Sequence, residues 1–317
     1  MPCYHPITAY RSSAGRAPNG KWPLVFKAGE GYQDMPVTIP CGSCIGCRLE
    51  RSRQWAIRCL HEASLYDRNC YVTLTYNNES LPKAINVETG EIAAGFATLY
   101  PRHMTLFLKR LRKEFGSGIR FFQCGEYGER RSRPHHHIIL FNFDFPDKVF
   151  HSMSDTGFPQ YRSAILSDGD DRMEALWPHG HALIGGVTFE SAAYVARYIT
   201  KKLLGKGAKE KYASVDLVPE YTTMSRRPGI AHNWFLKFSS DIYPSDECVV
   251  RKDLICRPPK YYDRMFELTN PVEFSKIKLR RVGAAKRSVD NGFERLSVRE
   301  RVQKLRSSKL IRPLEIL

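Results

Sequence analysis

The sequence predicts an α+β fold, an antiparallel sheet with helices packed on it. Short runs rich in Thr, Val, Ile and Tyr at 70–76, 119–124, 135–143 and 182–187 read as strands. Between and around them, stretches at about 45–66, 102–115 and 188–203 repeat their apolar residues at helical spacing. No apolar run approaches the ~20 residues needed to cross a bilayer. Strands interleaved with a few amphipathic helices fit a sheet with one or both faces covered.

Residues 1–40 are rich in Pro and Gly and read as irregular. The helix at 45–66 gathers Leu49, Ala56, Leu60 and Ala63 on one face, with Arg48, Arg51, Arg53 and Arg58 around the rest. After the strand at 70–76, the helix at 102–115 turns Met104, Phe107, Leu108, Leu111 and Phe115 inward and Lys109, Arg110, Arg112 and Lys113 outward. Ile119–Cys124 and His135–Phe143 form a strand pair, linked by a polar, arginine-rich segment from Gly125 to Pro134 that is long for a hairpin. Residues 144–180 read as an insertion with Asp168-Gly169-Asp170-Asp171 at a loop, and a strand at 182–187 feeds the next helix. This gives an N-terminal segment with a Cys cluster and a basic helix (1–66), a core (67–240) and a basic C-terminal extension (241–317), without internal repeats.

The formal charge is +16 and the isoelectric point about 9.5, as expected of a chain that meets a polyanion. From Ser275 to Leu317 there are 13 Lys/Arg against 4 Asp/Glu, a tail suited to phosphate contacts. The start, Met1-Pro2-Cys3-Tyr4-His5-Pro6, lacks a signal-peptide core, so the expected location is the cytoplasm. Nine cysteines there argue for thiols or metal rather than disulfides. Cys41, Cys44 and Cys47 form C-x2-C-x2-C, with Cys3 and His5 available for a fourth position, a set suited to structural Zn2+ and less to an iron–sulfur cluster.

Two motifs carry the chemistry. In Arg133-Pro134-His135-His136-His137-Ile138-Ile139-Leu140, strand alternation puts His135 and His137 on one face, able to hold one metal ion, and His136 on the other. In Tyr194-Val195-Ala196-Arg197-Tyr198-Ile199-Thr200-Lys201-Lys202, helical spacing gathers Tyr194, Arg197, Tyr198 and Lys201 on one stripe. Ala192, Val195, Ala196, Ile199 and Leu203 fall opposite, the face expected to pack on the sheet, and Thr188 caps the helix with Glu190 in its first turn. Either motif alone is ordinary, since histidine tracts are often solvated and i,i+4 tyrosines often pack. His179-Gly180-His181 repeats the spacing but reads as a turn into the next strand. Together on a basic chain, a ligand pair and paired tyrosines point to DNA strand cleavage through a phosphotyrosine. A carboxylate suits the third position for Mg2+ or Mn2+; Glu126 is the first choice and Glu129 the second.

With Tyr71-Val72-Thr73-Leu74-Thr75-Tyr76 upstream and Thr223-Met224-Ser225-Arg226-Arg227-Pro228-Gly229 downstream, the chain resembles the HUH endonucleases. Within them it is most similar to the gokushovirus-type (Microviridae) replication initiators, over most of residues 40–240. The resemblance implies an HUH fold with a central histidine strand, metal ligands His135, His137 and an acidic residue on the neighbouring strand, and catalytic Tyr194, Tyr198 and Lys201. It departs in having histidine between the ligand histidines, which leaves His136 as the alternative ligand. The implied activity is rolling-circle initiation at a viral origin in an infected bacterium, alongside a host helicase and polymerase and without a membrane. Arg197, Lys202, Arg226 and Arg227 are the expected DNA contacts, and Tyr221, Trp234 and Phe235 candidate stacking platforms. The competing readings are a non-catalytic, zinc-stabilised nucleic-acid-binding protein and another HUH enzyme, a relaxase or transposase.

Overall fold

The computed structural model describes residues 3–18, 22–128, 131–154, 157–169, 174–201, 215–251 and 254–309, with the side chains of 197–201 and 251 outside the description. Contacts divide the chain into two units, Met1–Glu50 with Arg281–Leu310 and Arg51–Arg280 with Ile311–Leu317.

In the first unit, β1 (Ile7–Ser12), β2 (Leu24–Val25) and β3 (Gly31–Ile39) form an antiparallel sheet in the order β2-β1-β3. This corrects the expectation that residues 1–40 are irregular. The glycine and proline weighted there as breakers are built into the pairing: Gly31 lies opposite Ser12 and Pro36 opposite Tyr10. A Cβ on Gly31 would meet Tyr10 Cβ at 2.6 Å and Val25 Cγ2 at 2.8 Å, so this glycine permits a close approach of strands.

The helix α1 (Ile45–Ala63) leads to the second unit, whose antiparallel sheet is built from β4 (Asn69–Thr75), β7 (Arg120–Tyr127), β8 (Pro134–Phe141), β9 (Val149–Met153), β10 (Pro159–Arg162), β11 (Ala182–Gly185) and β12 (Tyr221–Met224). Its order is β12-β7-β8-β4-β11-β10-β9, so the histidine strand is flanked on both sides. A separate hairpin, β5 (Lys83–Ile85) with β6 (Ile92–Ala97), precedes α2 (Pro101–Phe115). The helices α3 (Ala164–Ser167), α4 (Phe189–Lys201) and α5 (His232–Phe238) follow, then the pair β13 (Cys248–Arg251) and β14 (Leu254–Cys256), α6 (Lys260–Thr269) and α7 (Pro271–Arg287). In the first unit, α8 (Phe293–Ser308) packs Leu296 with Tyr4 and Cys44.

Strand alternation sorts the core into two layers. Tyr71, Cys124, Ile139 and Phe141 pack with Ala56 and Cys59 of α1 and with Ala192 and Val195 of α4. Val72, Leu74, Ile138 and Leu140 pack on the other face with Met104, Phe107 and Leu111 of α2. Full burial of each of these large side chains stabilises the fold by ~1.5–3 kcal/mol. Proline at the first position of α2 and Gly116 beyond it, at φ 94°, mark its ends as the periodicity predicts.

Strand boundaries differ at one functional place. The strand expected to stop at Cys124 continues to Tyr127, which places Glu126 inside β7 directly opposite His135. Gly125 reads locally as a strand end, yet it pairs with His136 on one side and Tyr221 on the other. Its missing side chain makes room: a Cβ there would lie 2.6 Å from Tyr221 Cε1 and 3.0 Å from His136 Nδ1. The expected insertion contributes β9 and β10 to the sheet edge.

Candidate metal centre

Cross-strand register assembles the centre. Glu126 faces His135 directly, and His137, two residues along β8, lies diagonal to it on the same face. Glu126 Oε1 is 2.7 Å from His135 Nε2 and 3.1 Å from His137 Nε2. One ligand atom from each of the three residues falls within 4.8 Å of the others. Glu126 and His137 are buried, with His135 at the rim.

The outer ring nitrogens are also held. The Arg133 carbonyl is 3.1 Å from His135 Nδ1. A carbonyl only accepts, so the proton of neutral His135 sits on Nδ1 and the Nε2 lone pair points at the Glu126 carboxylate. Two acceptors 2.7 Å apart need a cation between or upon them, a proton or a metal ion. His137 Nδ1 lies 2.6 Å from the Tyr71 hydroxyl and 3.0 Å from Thr73 Oγ1, and hydroxyls serve either tautomer because they both donate and accept. Two imidazoles and a carboxylate, each oriented from behind, fit a divalent cation. Burial raises the Glu126 carboxyl, but hydrogen bonds and charge from His135 and His137 outweigh it and leave the group below its usual range, ready to ligate. Nothing local in the sequence marks Tyr71 and Thr73 as supports of His137. Their signal was the two-residue period of the 71–76 motif, which becomes informative only once Thr73 is known to face His137.

The helix α4 delivers Tyr194 to this centre. Thr188 Oγ1 accepts from the Ser191 backbone N–H at 3.1 Å while Ser191 Oγ accepts from the Thr188 N–H at 2.8 Å, closing a reciprocal cap that starts the helix. Tyr194 stands edge-on to His137 with ring centroids 5.0 Å apart, and edge-on to Tyr71 at 6.4 Å. It is 3% exposed. The expected polar stripe is therefore covered at Tyr194, and the tyrosine itself packs against the sheet. Ala192, Val195 and Ala196 are buried as well, so this part of the helix is enclosed on more than one side. The side chains of Arg197, Tyr198 and Lys201, and the residues Lys202 and Glu129, lie outside the described residues.

His136 points through the sheet to the α2 face, away from the other two histidines. Its Nε2 is 3.0 Å from the Tyr76 hydroxyl, whose other neighbour is His103 Nδ1 at 3.0 Å. Burial, then the nearby His135 and His137, push its pKa well below the ordinary histidine value. His179 stacks on His103 at 3.8 Å, and His179-Gly180-His181 runs beside β4, with His181 O accepting from the Thr75 N–H.

In the first unit, Cys3, Cys41, Cys44 and Cys47 bring their sulfurs within 4.8 Å of one another. Backbone N–H groups point at these sulfurs, among them Cys41 to Cys3 at 3.2 Å and Cys44 to Cys41 at 3.3 Å. Burial raises the Cys41 thiol, but N–H donors from Cys44 and Ser43 outweigh it and bring the pKa down to about 6. The fourth position falls to Cys3; His5 instead lies 2.8 Å from Glu300.

Arg226 and Arg227 are exposed just beyond β12. Phe235 is 3% exposed within the core, which corrects its expectation as a stacking platform. Trp234 is half-buried and stacks on His61 at 3.5 Å, while Tyr221 lies over Gly125 toward His136. Among the described residues no helix is long and apolar enough to cross a membrane.

The replication-associated protein ORF2/G2P family model matches residues 69–203. The chain is 36% identical to the replication-associated protein ORF2 of Spiroplasma virus 4 across 83% of this chain and 78% of that protein. It is 29% identical to the replication-associated protein VP4 of Bdellovibrio phage phiMH2K across 88% and 83%. Replication-associated protein ORF4 of Chlamydia phage 1 is 29% identical across 52% of this chain and 39% of that one. No solved structure matches. The matched region begins with the strand that supports His137 and ends with the tyrosine helix, and this chain belongs to the replication-associated proteins of Microviridae-type phages.

Proposed function

We propose that the chain initiates rolling-circle replication as an HUH endonuclease, nicking one strand at a viral origin and later rejoining it. The observation that carries this reading is Tyr194 packed edge-on against His137, beside the converging Glu126, His135 and His137. A divalent ion held by those three residues, Mg2+ or Mn2+, would offset charge on a non-bridging oxygen of the scissile phosphate. The hydroxyl oxygen of Tyr194 or Tyr198 attacks the phosphorus and the bond to the 3′ oxygen breaks. That oxygen takes up a proton to become a free 3′-OH, and the 5′ phosphate stays esterified to the tyrosine. Lys201 stabilises the phenolate or the phosphate. The reverse attack by a 3′-OH rejoins the strand without ATP, and a second tyrosine allows a second cut while the first still holds DNA.

Arg197, Lys202, Arg226 and Arg227 are assigned to the DNA backbone, and a host helicase and polymerase to unwinding and synthesis, within the infected cell. The four cysteines are assigned to one structural Zn2+, supported by the N–H donors aimed at their sulfurs. Atomic absorption should find one zinc per chain, absent after the double substitution Cys41→Ser and Cys44→Ser.

The test of the catalytic reading incubates the protein with single-stranded oligonucleotides from its origin region and Mn2+ or Mg2+, then looks for a denaturation-resistant protein–DNA band. The expected band disappears with EDTA and in the Tyr194→Phe, Tyr198→Phe double variant. Tight DNA binding with no band in either metal would make the chain a non-catalytic, zinc-stabilised binding protein.

A further inference from the structure

On the α2 face of the sheet, opposite the metal centre, α2, β7 and β12 enclose a groove of about 540 Å3. Its charged lining is entirely basic, Lys109, Arg112 and Arg226, and Phe121 and Leu108 add apolar wall. The Arg112 guanidinium lies 5.5 Å from the centre of the Phe121 ring, which ties one of these cations to that wall. Gln123 is 5% exposed and also lines the groove. Its Nε2 donates to Thr223 Oγ1 at 2.7 Å. Its Oε1 is buried and meets no donor among the described residues. A buried carbonyl oxygen without a donor is costly, and such a group in a native fold calls for an explanation.

These features specify a ligand with three parts: a phosphate for the cations, a flat apolar body for the wall, and an N–H for the carbonyl. We propose that this groove holds one unpaired nucleotide of a DNA strand, its phosphate on Lys109, Arg112 and Arg226 and an edge N–H of its base donated to Gln123 Oε1. The nucleotide is unpaired because the Gln123 carbonyl is reached only when a splayed base displaces the side chains over it, whereas a stacked base in a duplex stays outside. The groove then grips a strand at a second place, away from the centre that cuts it. The inference rests on the reading of this chain as a DNA-binding replication protein and is independent of the nicking chemistry.

The test measures binding of the full chain by fluorescence anisotropy to two 10-mers, oligo-dA and its N6,N6-dimethyladenine counterpart, which keeps the stacking face and has no edge N–H. Wild type should prefer oligo-dA by about tenfold, the discrimination expected of one good base contact. Gln123→Leu should bind the two strands equally. Lys109→Ala with Arg226→Ala should weaken both and lower the salt slope by about one to two. Equal binding by wild type, or an unchanged preference in Gln123→Leu, would overturn the proposal. So would AMP binding as tightly as the 10-mer, which would make this a free-nucleotide site. Should Gln123→Leu fail to fold, Lys109→Glu at an exposed position carries the test through the loss of oligo-dA binding, and unchanged binding overturns the proposal. Covalent adduct formation on a longer origin strand reports the nicking reading separately. Base preference without adduct sinks nicking and keeps the groove; adduct without base preference does the reverse.

Discussion

Three consecutive histidines on β8 live in two different worlds. His135 and His137 look at a carboxylate across the strand pair, while His136 between them looks at Tyr76, with His103 and His179 beyond. The first face offers imidazole lone pairs to a cation; the second offers only neutral partners and holds its ring uncharged by burial. Residue type alone therefore assigns nothing here, and the partner strand decides which histidines face the carboxylate. Glu126 makes the difference on one face, and Gly125, one residue earlier, makes it on the other by letting Tyr221 reach His136.

Substitution can break this contrast in a graded series. His137→Ala should lower adduct formation per folded molecule by about 10²–10³-fold, the scale of losing one preorganised electrostatic group. His136→Ala should leave adduct formation per folded molecule unchanged, although both rings are fully buried and either loss lowers stability. Removal of a fully buried side chain costs ~2–4 kcal/mol, read as a drop in denaturation midpoint, while the ligand set of the other face stays intact. Equal losses of activity in the two variants would sink the two-face account. Gly125→Ala should destabilise by ~1–3 kcal/mol through overpacking against Tyr221 and His136, again measured by denaturant titration.

Smaller effects sharpen the same comparison. Tyr71→Phe removes a hydroxyl 2.6 Å from His137 Nδ1 and should weaken Mn2+ binding about tenfold in a calorimetric titration, with little change in stability. The α2 face should register acid instead. Burial first, then the neighbouring His179 and Arg110, lowers His103 to about 4. Between that value and the ordinary ~6.5 the unfolded chain binds a proton that the folded chain does not, so stability falls as pH drops through this window. The melting temperature should decline from about pH 7 to about pH 5, and less steeply in His103→Gln; an identical slope would remove His103 from the account.

Much of this was legible from sequence wherever the signal is local. The alternation of 135–137 separated the histidines by face, the apolar spacing of 102–115 marked the α2 residues that are buried, and Thr188 announced its helix. What escaped depended on neighbours distant in sequence. Local signals end the strand carrying Glu126 too early, because Gly125 reads as a break until a partner strand is seen on each side of it. Tyr71 and Thr73 sit 66 and 64 residues from the histidine they support. Helical spacing alone sets the stripe of Tyr194 opposite the face that packs on the sheet, and only the packed sheet shows that ring covered. Phe235 is a candidate DNA platform by its aromatic type alone, whereas its burial follows from packing that its neighbours in sequence do not encode.

The three candidate ligands all come from one hairpin, β7 and β8, between positions 126 and 137. Bringing them together requires closing only a short loop, at an entropic cost that grows slowly with length, and contacts so local form early in folding. Tyr194 must arrive from a helix 57 residues downstream of His137. On the proposed reading, a nascent chain would own its cation site before Tyr194 reached it, and cleavage would be armed last, by the docking of α4.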